Sequence, residues 1–290
     1  MIIKTCFEFL WKGLIIGSLN LFSLILAGAV LTNLGLKFPE VKSSYGYITF
    51  IMFLSGFIVS VIFGIVAKKL SLSKLRVFIV LFVMLVLNSV TQILEAFYFA
   101  PGIVNIEVAP AIFGQQVIMW LFISAGIAFL YRFKSEDDIG FKIQSRSWID
   151  WIVRIIISSG SYVLFYYVFG SINALLFTGE YYLSQVNGLQ IPSATEIIVL
   201  ETIRAIILVL SILPVILNLK IQKKEVMITV GMVLFIIGGL LPMLQQFNSL
   251  PTVLIVASTV EMFFQFFLTG VVTTYIILYD KGLPSVAASE

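Results

Sequence analysis

The chain has 290 residues, of which 60% are apolar and 11% are charged, and its formal net charge is +3. Soluble domains contain about 45–50% apolar and about 25% charged residues, so this composition excludes a soluble globular protein and predicts an integral membrane protein. The chain has no histidine and a single cysteine, Cys6, which excludes Cys/His zinc sites, histidine-dependent catalytic triads and redox cofactors that need His or Cys ligands.

Eight apolar stretches are long enough to cross a bilayer as helices, each of which needs about 20 residues. They do not alternate between apolar and polar positions, as "VFIVLFVMLVL" (Val77 to Leu87) shows, so the predicted fold class is all-α and not a β-barrel. Within the seventh stretch, Gly238, Gly239 and Pro242 predict a kink or an end. In chain order the predicted transmembrane helices cover residues 13–36, 46–67, 77–99, 110–131, 151–176, 194–217, 226–244 and 252–279.

The first predicted span has two interpretations. Lys4 and Lys12, the apolar run and then "AGA" (Ala27 to Ala29) have the order of a secretory signal with a small-residue cleavage site. The apolar run continues past that point through "VLTNLGL". We therefore expect the first helix to be retained.

Basic residues predict how the chain is threaded. They cluster after the second, fourth and sixth spans, within residues 68–76, 132–146 and 220–224, whereas residues 100–109, 177–193 and 245–251 contain none. Because cytoplasmic loops carry the excess of Lys and Arg, both termini are predicted to be cytoplasmic. The expected location is a plasma membrane, of the prokaryotic inner-membrane kind.

The long polar segment 132–150 divides the chain into an N-terminal half, 1–131, and a C-terminal half, 151–290, with four spans each. In both halves a short Lys-rich loop joins the second and third spans, "AKKLSLSKLR" in one and "NLKIQKKE" in the other. This pattern is consistent with a parallel 4+4 duplication, as in some transporter folds. Unrelated pairs of helical hairpins are the alternative.

Four charged side chains within the predicted spans cannot reach the cytoplasmic face, and all four lie at middle-to-outer depth: Glu95, Glu201, Arg204 and Glu261. "IPSATE" (Ile191 to Glu196) predicts a capped start of the sixth span, which places Glu201 and Arg204 roughly 10 and 15 Å from its outer boundary. Four tyrosines near the outer side of the fifth span, Tyr166, Tyr167, Tyr181 and Tyr182, predict an interfacial belt. The other polar candidates are Asn88, Gln92 and Glu95 on the third span, Gln115 and Gln116 on the fourth, and Glu261 and Gln265 on the eighth.

A charged side chain at the centre of a transmembrane helix costs about 2.5–3.5 kcal/mol on insertion scales, so these charges need partners or water. We predict that they converge on a polar cavity that opens outward and binds a ligand. With three carboxylates against one guanidinium, one carboxylate is expected to hold a proton or bind a cation. The alternative is that the ion pairs and amides are interhelical struts. The predicted binding residues are Asn88, Gln92, Glu95, Gln115, Gln116, Glu201, Arg204, Glu261 and Gln265.

Three functions fit these observations. The favoured hypothesis is a transporter-like protein that binds or moves a small solute or a lipid headgroup in the bilayer. The alternatives are a non-catalytic membrane subunit with structural ion pairs, and an intramembrane enzyme that uses carboxylates on lipid-linked substrates. No cofactor, metal or catalytic residue is predicted. The chain lacks a phosphate-binding loop and the dense basic face that nucleic acid requires.

Overall fold

A computed structural model describes residues 2–39, 44–131, 146–185, 188–247 and 250–279. Within these residues all regular elements are helical, and eight helices are long and apolar enough to cross a membrane. The all-α class and the eight spans, judged by length and composition, are therefore confirmed. The helices are α1 (Ile2–Asn33), α2 (Tyr45–Lys69), α3 (Lys74–Phe99), α4 (Ala109–Tyr131), α5 (Trp148–Asn173, extended by Ala174–Thr178 and Gly179–Leu183), α6 (Ala194–Asn218), α7 (Lys223–Phe235, continued by Ile236–Leu240 and Leu241–Gln245) and α8 (Thr252–Ile277).

Two helices extend well beyond their predicted bounds. Helix α1 begins at Ile2 instead of residue 13, and α5 continues to Leu183 through a π-helical turn. Helix α7 ends at Gln245, next to the predicted end at residue 244, and a π-helical turn, Ile236–Leu240, lies where Gly238 and Gly239 predicted a kink or an end. Most of the predicted connecting segment 132–150 and the C-terminal tail lie outside the described residues, while α5 already begins at Trp148.

Contacts between connections show that successive helices alternate in direction. The α1–α2 and α3–α4 connections meet through an ion pair from Lys37 Nζ to Glu107 Oε2, 2.9 Å long. The α5–α6 connection joins them, since Gln190 Nε2 donates to the carbonyl oxygen of Tyr98 at 3.0 Å. We call this end of the bundle the predicted outer end, following the charge distribution in the sequence.

The α2–α3 and α6–α7 connections meet at the opposite, predicted inner end. They form an antiparallel bridge between Leu70 and Leu219, in which the backbone N–H of Ser71 donates to Asn218 and that of Lys220 donates to Lys69, both at 2.9 Å. Arg146, before α5, donates to the carbonyl oxygen of Ile277 at the end of α8. In the part of the chain that the structure describes, Lys37 and Arg204 are the basic side chains that lie away from this end.

Lys12 lies inside α1 and is not a flanking residue as the sequence predicted. Its side chain is 1% exposed and pairs with Glu8 at 2.6 Å, while its Nζ lies 4.6 Å from the centre of the Tyr131 ring. The hydroxyl of Tyr131 is hydrogen bonded to that of Ser60 at 2.9 Å. These contacts join α1, α2 and α4 near the predicted inner end.

Helix packing follows the same order in the two parts of the chain. Helix α1 packs against α2 and α4, and α3 packs against α4; correspondingly, α5 packs against α6 and α8, and α7 packs against α8. Helix α3 contacts α6, and α2 contacts α7, so each part presents two helices to the other. One apolar core cluster contains buried side chains from all eight helices.

Glycine permits the closest of these helix contacts. A Cβ atom placed on Gly270 in α8 would lie 2.6 Å from the Cα of Gly231 in α7. Small residues of this kind let two helix backbones approach each other, which is how apolar helices gain packing energy where the hydrophobic effect does not act. The contact between α7 and α8 therefore depends on glycine at position 270.

We expect Gly270→Ala to destabilise the protein by about 1–3 kcal/mol, because the added methyl group meets backbone that cannot move aside. Thermal unfolding of the purified protein in detergent measures the effect. Gly160→Ala in α5 is the matched control, since a Cβ there meets nothing within 4 Å. Equal melting temperatures for the two variants would contradict the close contact.

Candidate functional site

Helix α6 brings the buried charges into the bundle. Its predicted capping box is present: Ser193 N–H donates to Glu196 Oε2 at 2.8 Å, and Glu196 N–H donates to Ser193 Oγ at 3.4 Å. The helix begins at Ala194, so Arg204 lies roughly 15 Å along it from the predicted outer end. The sequence predicted both the start of this helix and the depth of the arginine.

Arg204 binds two carboxylates on two helices. Its Nη1 atom donates to both oxygens of Glu201, at 2.7 and 2.8 Å, and its Nη2 atom donates to Glu95 Oε2 in α3 at 2.6 Å. The side chains of Arg204 and Glu201 are 1% and 0% exposed, whereas that of Glu95 is 26% exposed. Glu95 is therefore the member of this ion cluster that solvent reaches.

Tyr162 in α5 completes the cluster, and the sequence analysis did not identify it. Its side chain is fully buried, its hydroxyl donates to Glu201 Oε2 at 3.2 Å, and its ring centre lies 6.0 Å from Arg204 Cζ. A buried tyrosine hydroxyl usually needs a hydrogen-bond partner. That requirement was the available signal, although Tyr162 shares its span with several serines and two other tyrosines.

A cavity of about 330 Å³ lies beside the ion cluster. Glu95 lines it from α3 and Glu261 lines it from α8, so two of the three predicted carboxylates share one space. Leu189 and Leu250 also line it, and they belong to the connections at the predicted outer end. The other polar groups in its wall are Ser89 and Gln92 from α3, Gln116 from α4, Tyr166 and Tyr182 from α5, Gln245 and Gln246 at the end of α7, and Ser258 from α8.

The positions of the four tyrosines differ from the interfacial belt that the sequence predicted. Tyr166 and Tyr182 line the cavity, and Tyr181 packs against a small apolar cluster that includes Leu250. Tyr167 is 37% exposed on the outside of α5. The cavity wall on the α5 side is thus partly aromatic.

Two predicted amides have a clear structural partner. Asn88 Nδ2 donates to the carbonyl oxygen of Ile237 at 3.0 Å, and Gln92 Nε2 donates to the same oxygen. Ile237 lies in the π-helical turn of α7. The two amides therefore hold α3 against α7 at the point where α7 departs from regular α-helix.

Three predicted residues lie away from the cavity lining. Asn88 and Gln265 are each 3% exposed, and Gln115 Nε2 approaches the sulfur of Met119 within its own helix at 3.8 Å. Of the nine predicted residues, the lining includes Gln92, Glu95, Gln116 and Glu261. Glu201 and Arg204 lie outside that lining, and Arg204 donates to both Glu201 and Glu95.

Glu261 is held by α5 and not by a basic side chain. Its Oε2 atom accepts a hydrogen bond from Asn173 Nδ2, and its Oε1 atom would lie 3.2 Å from a Cβ placed on Gly170. Gly170 and Asn173 lie three residues apart and so share one face of α5. The glycine leaves room for the carboxylate, and the asparagine orients it; the sequence analysis identified neither residue.

The site is rich in hydrogen-bond acceptors and suits a donor or a cation more than an anion. Among the described residues, no group of three or more His, Cys, Asp or Glu side chains is arranged to hold a metal ion. Comparisons of the chain with protein-family models, curated proteins and solved structures gave no match.

We expect Arg204→Gln to destabilise the protein by about 3–5 kcal/mol, because it leaves Glu201 buried without its cation. The double variant Arg204→Gln/Glu201→Gln removes both charges and is expected to recover most of that loss. Thermal unfolding in detergent distinguishes the two variants. Glu107→Gln is the control: its ion pair with Lys37 is exposed, so no measurable change is expected. A double variant as unstable as Arg204→Gln would contradict the pairing.

Proposed function

We propose that this protein is a multi-pass membrane transport protein that binds a small solute or a lipid headgroup in the cavity beside Arg204. The observation that carries the proposal is that Glu95 and Glu261, on different helices, line the same cavity of about 330 Å³. Ionisable groups at membrane depth are rare and usually mark a pathway or a binding site. A cavity of this size accepts a small solute.

The proposal divides the predicted binding residues into three groups. Glu95, Glu261, Gln92 and Gln116 line the cavity and would contact the solute. Arg204 and Glu201 are nearly inaccessible and would fix the position and charge of Glu95. Asn88, Gln115 and Gln265 would contribute to helix packing.

We also propose that residues 1–131 and 151–290 are two structural repeats in parallel orientation. Helices α2 and α6 both have 25 residues, both follow a serine N-cap whose side chain accepts a hydrogen bond, and both end at a leucine C-cap. Those leucines, Leu70 and Leu219, form the bridge between the two connections. Contact between equivalent residues is what a twofold axis produces.

The repeat arrangement supports transport. The cavity is lined by α3 and α4 from one half and by α5, α7 and α8 from the other, so it lies between the proposed repeats. Transporters built from repeats bind their substrate at such an interface and expose it to either side by rocking one repeat against the other. In this proposal the protein lies in a plasma membrane. The distribution of basic residues predicts that both of its termini lie in the cytoplasm.

The second candidate is a non-catalytic membrane subunit. It is favoured by the burial of the Arg204–Glu201 pair, both of whose side chains are at most 1% exposed. Paired groups of that kind are also found as interhelical struts. In this case the cavity would have no access from the predicted inner side.

Cysteine accessibility tests the two candidates without knowledge of the substrate. In a Cys6→Ser background, Ser258→Cys places a thiol in the cavity wall, and a membrane-impermeant thiosulfonate reagent is applied to either face of oriented proteoliposomes. A transporter exposes its site alternately to the two sides. We therefore expect Ser258→Cys to react from both faces, with the faster reaction from the predicted outer face.

Ser124→Cys is the matched control, because Ser124 is fully buried in α4 and does not line the cavity. It should react slowly from either face. Reaction of Ser258→Cys from the outer face alone would reject transport and favour the subunit. Equal reaction rates for Ser258→Cys and Ser124→Cys would show that the cavity is not accessible from solution, which contradicts both candidates' description of it.

A further inference from the structure

A second, apolar space adjoins the polar cavity at Glu261. It is a groove of about 640 Å³ between the outer parts of α5 and α8, and both Glu261 and Asn173 lie in its wall. Most of its remaining lining is apolar, with three phenylalanines, Phe169, Phe177 and Phe264. Since Glu261 lines both spaces, its carboxylate is where the apolar groove meets the polar cavity.

The groove lies on the face of the bundle that acyl chains would contact. Val253, Val256 and Val260 of α8 are between 51% and 55% exposed, as is Phe177 of α5 at 54%. A molecule dissolved in the bilayer can therefore reach the groove sideways. Its volume is within the range of about 300–1,000 Å³ that holds a small organic ligand.

One buried acceptor at this junction has no hydrogen-bond donor, and the carboxylate beside it has no basic partner among the described residues. Asn173 is 6% exposed, and its Oδ1 atom has no hydrogen-bond partner. Its Nδ2 atom donates to Glu261 Oε2, and among the described residues no basic side chain pairs with Glu261. A buried acceptor without a partner is destabilising. A ligand that brings N–H groups and a positive charge would satisfy both residues.

The charge of the neighbouring ion cluster also favours a positively charged ligand. Arg204 already binds two carboxylates, Glu201 and Glu95, so no guanidinium is left over to neutralise Glu261. An anionic headgroup would meet repulsion from these carboxylates. A protonated amine is attracted to them and also interacts favourably with aromatic rings such as those in the groove.

We infer that the groove and the carboxylate form one site for a hydrophobic primary amine from the bilayer, with its apolar body between α5 and α8 and its ammonium group between Glu261 and Asn173. Passage of the amine from the groove into the polar cavity is a further step, and only that step rests on the proposed function. The binding site itself stands independently of that step.

Photolabelling of the purified protein in nanodiscs tests the site. The probe is a long-chain primary amine with a diazirine in its alkyl chain, and the matched probes carry an alcohol or a carboxylate instead of the amine. Mass spectrometry locates the label. The amine is expected to label residues 169–177 and 252–264 about ten-fold more than either matched probe, because only the amine brings a positive charge to the Glu261 carboxylate.

Two variants are expected to remove that preference by different routes. Glu261→Gln removes the charge, and Val256→Trp fills the groove from a lipid-facing position. Their controls are Glu107→Gln, an exposed carboxylate elsewhere, and Ile206→Trp, at an exposed position of α6; both should be labelled like the natural protein. The probe comparison on the natural protein decides the question even where a variant unfolds.

Equal labelling by the amine and the alcohol would overturn the inference, because any lipid-facing groove could bind the two alkyl chains without recognising the amine. Stronger labelling by the carboxylate, or full labelling of a folded Glu261→Gln protein, would overturn it as well. Cysteine accessibility separates this result from the transport proposal. If the amine labels the site but Ser258→Cys reacts from the outer face alone, the amine site is supported and transport is rejected. If Ser258→Cys reacts from both faces but the amine is not preferred, transport is supported and the amine site is rejected.

Discussion

The guanidinium of Arg204 is the group on which the arrangement of the bundle depends. It is almost completely buried and bound to Glu201 in its own helix and to Glu95 in α3, while Tyr162 of α5 donates to the same Glu201. A buried charge of this kind is stable only with close partners, because desolvation otherwise costs several kcal/mol. The positions of α3, α5 and α6 near the cavity are therefore set by one cation. Apolar packing alone would allow these helices to slide, since side chains and lipid are similarly apolar.

Around this cluster, both π-helical turns occur in helices that form the cavity. In α7 the turn Ile236–Leu240 includes Gly238, which lines the cavity, and its Ile237 carbonyl accepts the amides of Asn88 and Gln92. In α5 the turn Ala174–Thr178 directly follows Asn173. Such turns insert one extra residue into a helix, free a carbonyl group and change the direction of the side chains, and they are frequent at functional sites. Here the turn in α7 binds the amides of Asn88 and Gln92, so these two hydrogen bonds are not made to the carboxylates.

The sequence was sufficient for the features that depend on composition and on single helices. Long apolar stretches predicted eight helices, and the capping pattern located the start of α6. The spacing of Glu201 and Arg204 places them on one helix face, but it left open whether they pair with each other or with Glu95 or Glu261. The sequence did not identify Tyr162, Asn173 or Gly170, whose roles arise only from contacts between distant helices. Nor could the sequence show that Glu95 is exposed to the cavity while Glu201 is buried, because the exposure of each side chain depends on how its helix is rotated. The π-helical turn of α7 lies where Gly238, Gly239 and Pro242 predicted a kink or an end, a pattern that does not specify the kind of irregularity.

The ion cluster also connects the cavity to the interface between the proposed repeats. Arg204 lies in the second half and Glu95 in the first, so their bond crosses that interface at the depth of the cavity. At the predicted inner end the halves are joined by backbone hydrogen bonds between two connections, which no solute in the cavity can reach. Glu95 is different: it is partly exposed in the cavity, and a cation that binds it competes with Arg204. Occupation of the cavity would then weaken a contact between the halves, while Glu201 keeps the guanidinium neutralised. In a transporter built from repeats, that competition is a direct physical link between binding a solute and the relative motion of the halves.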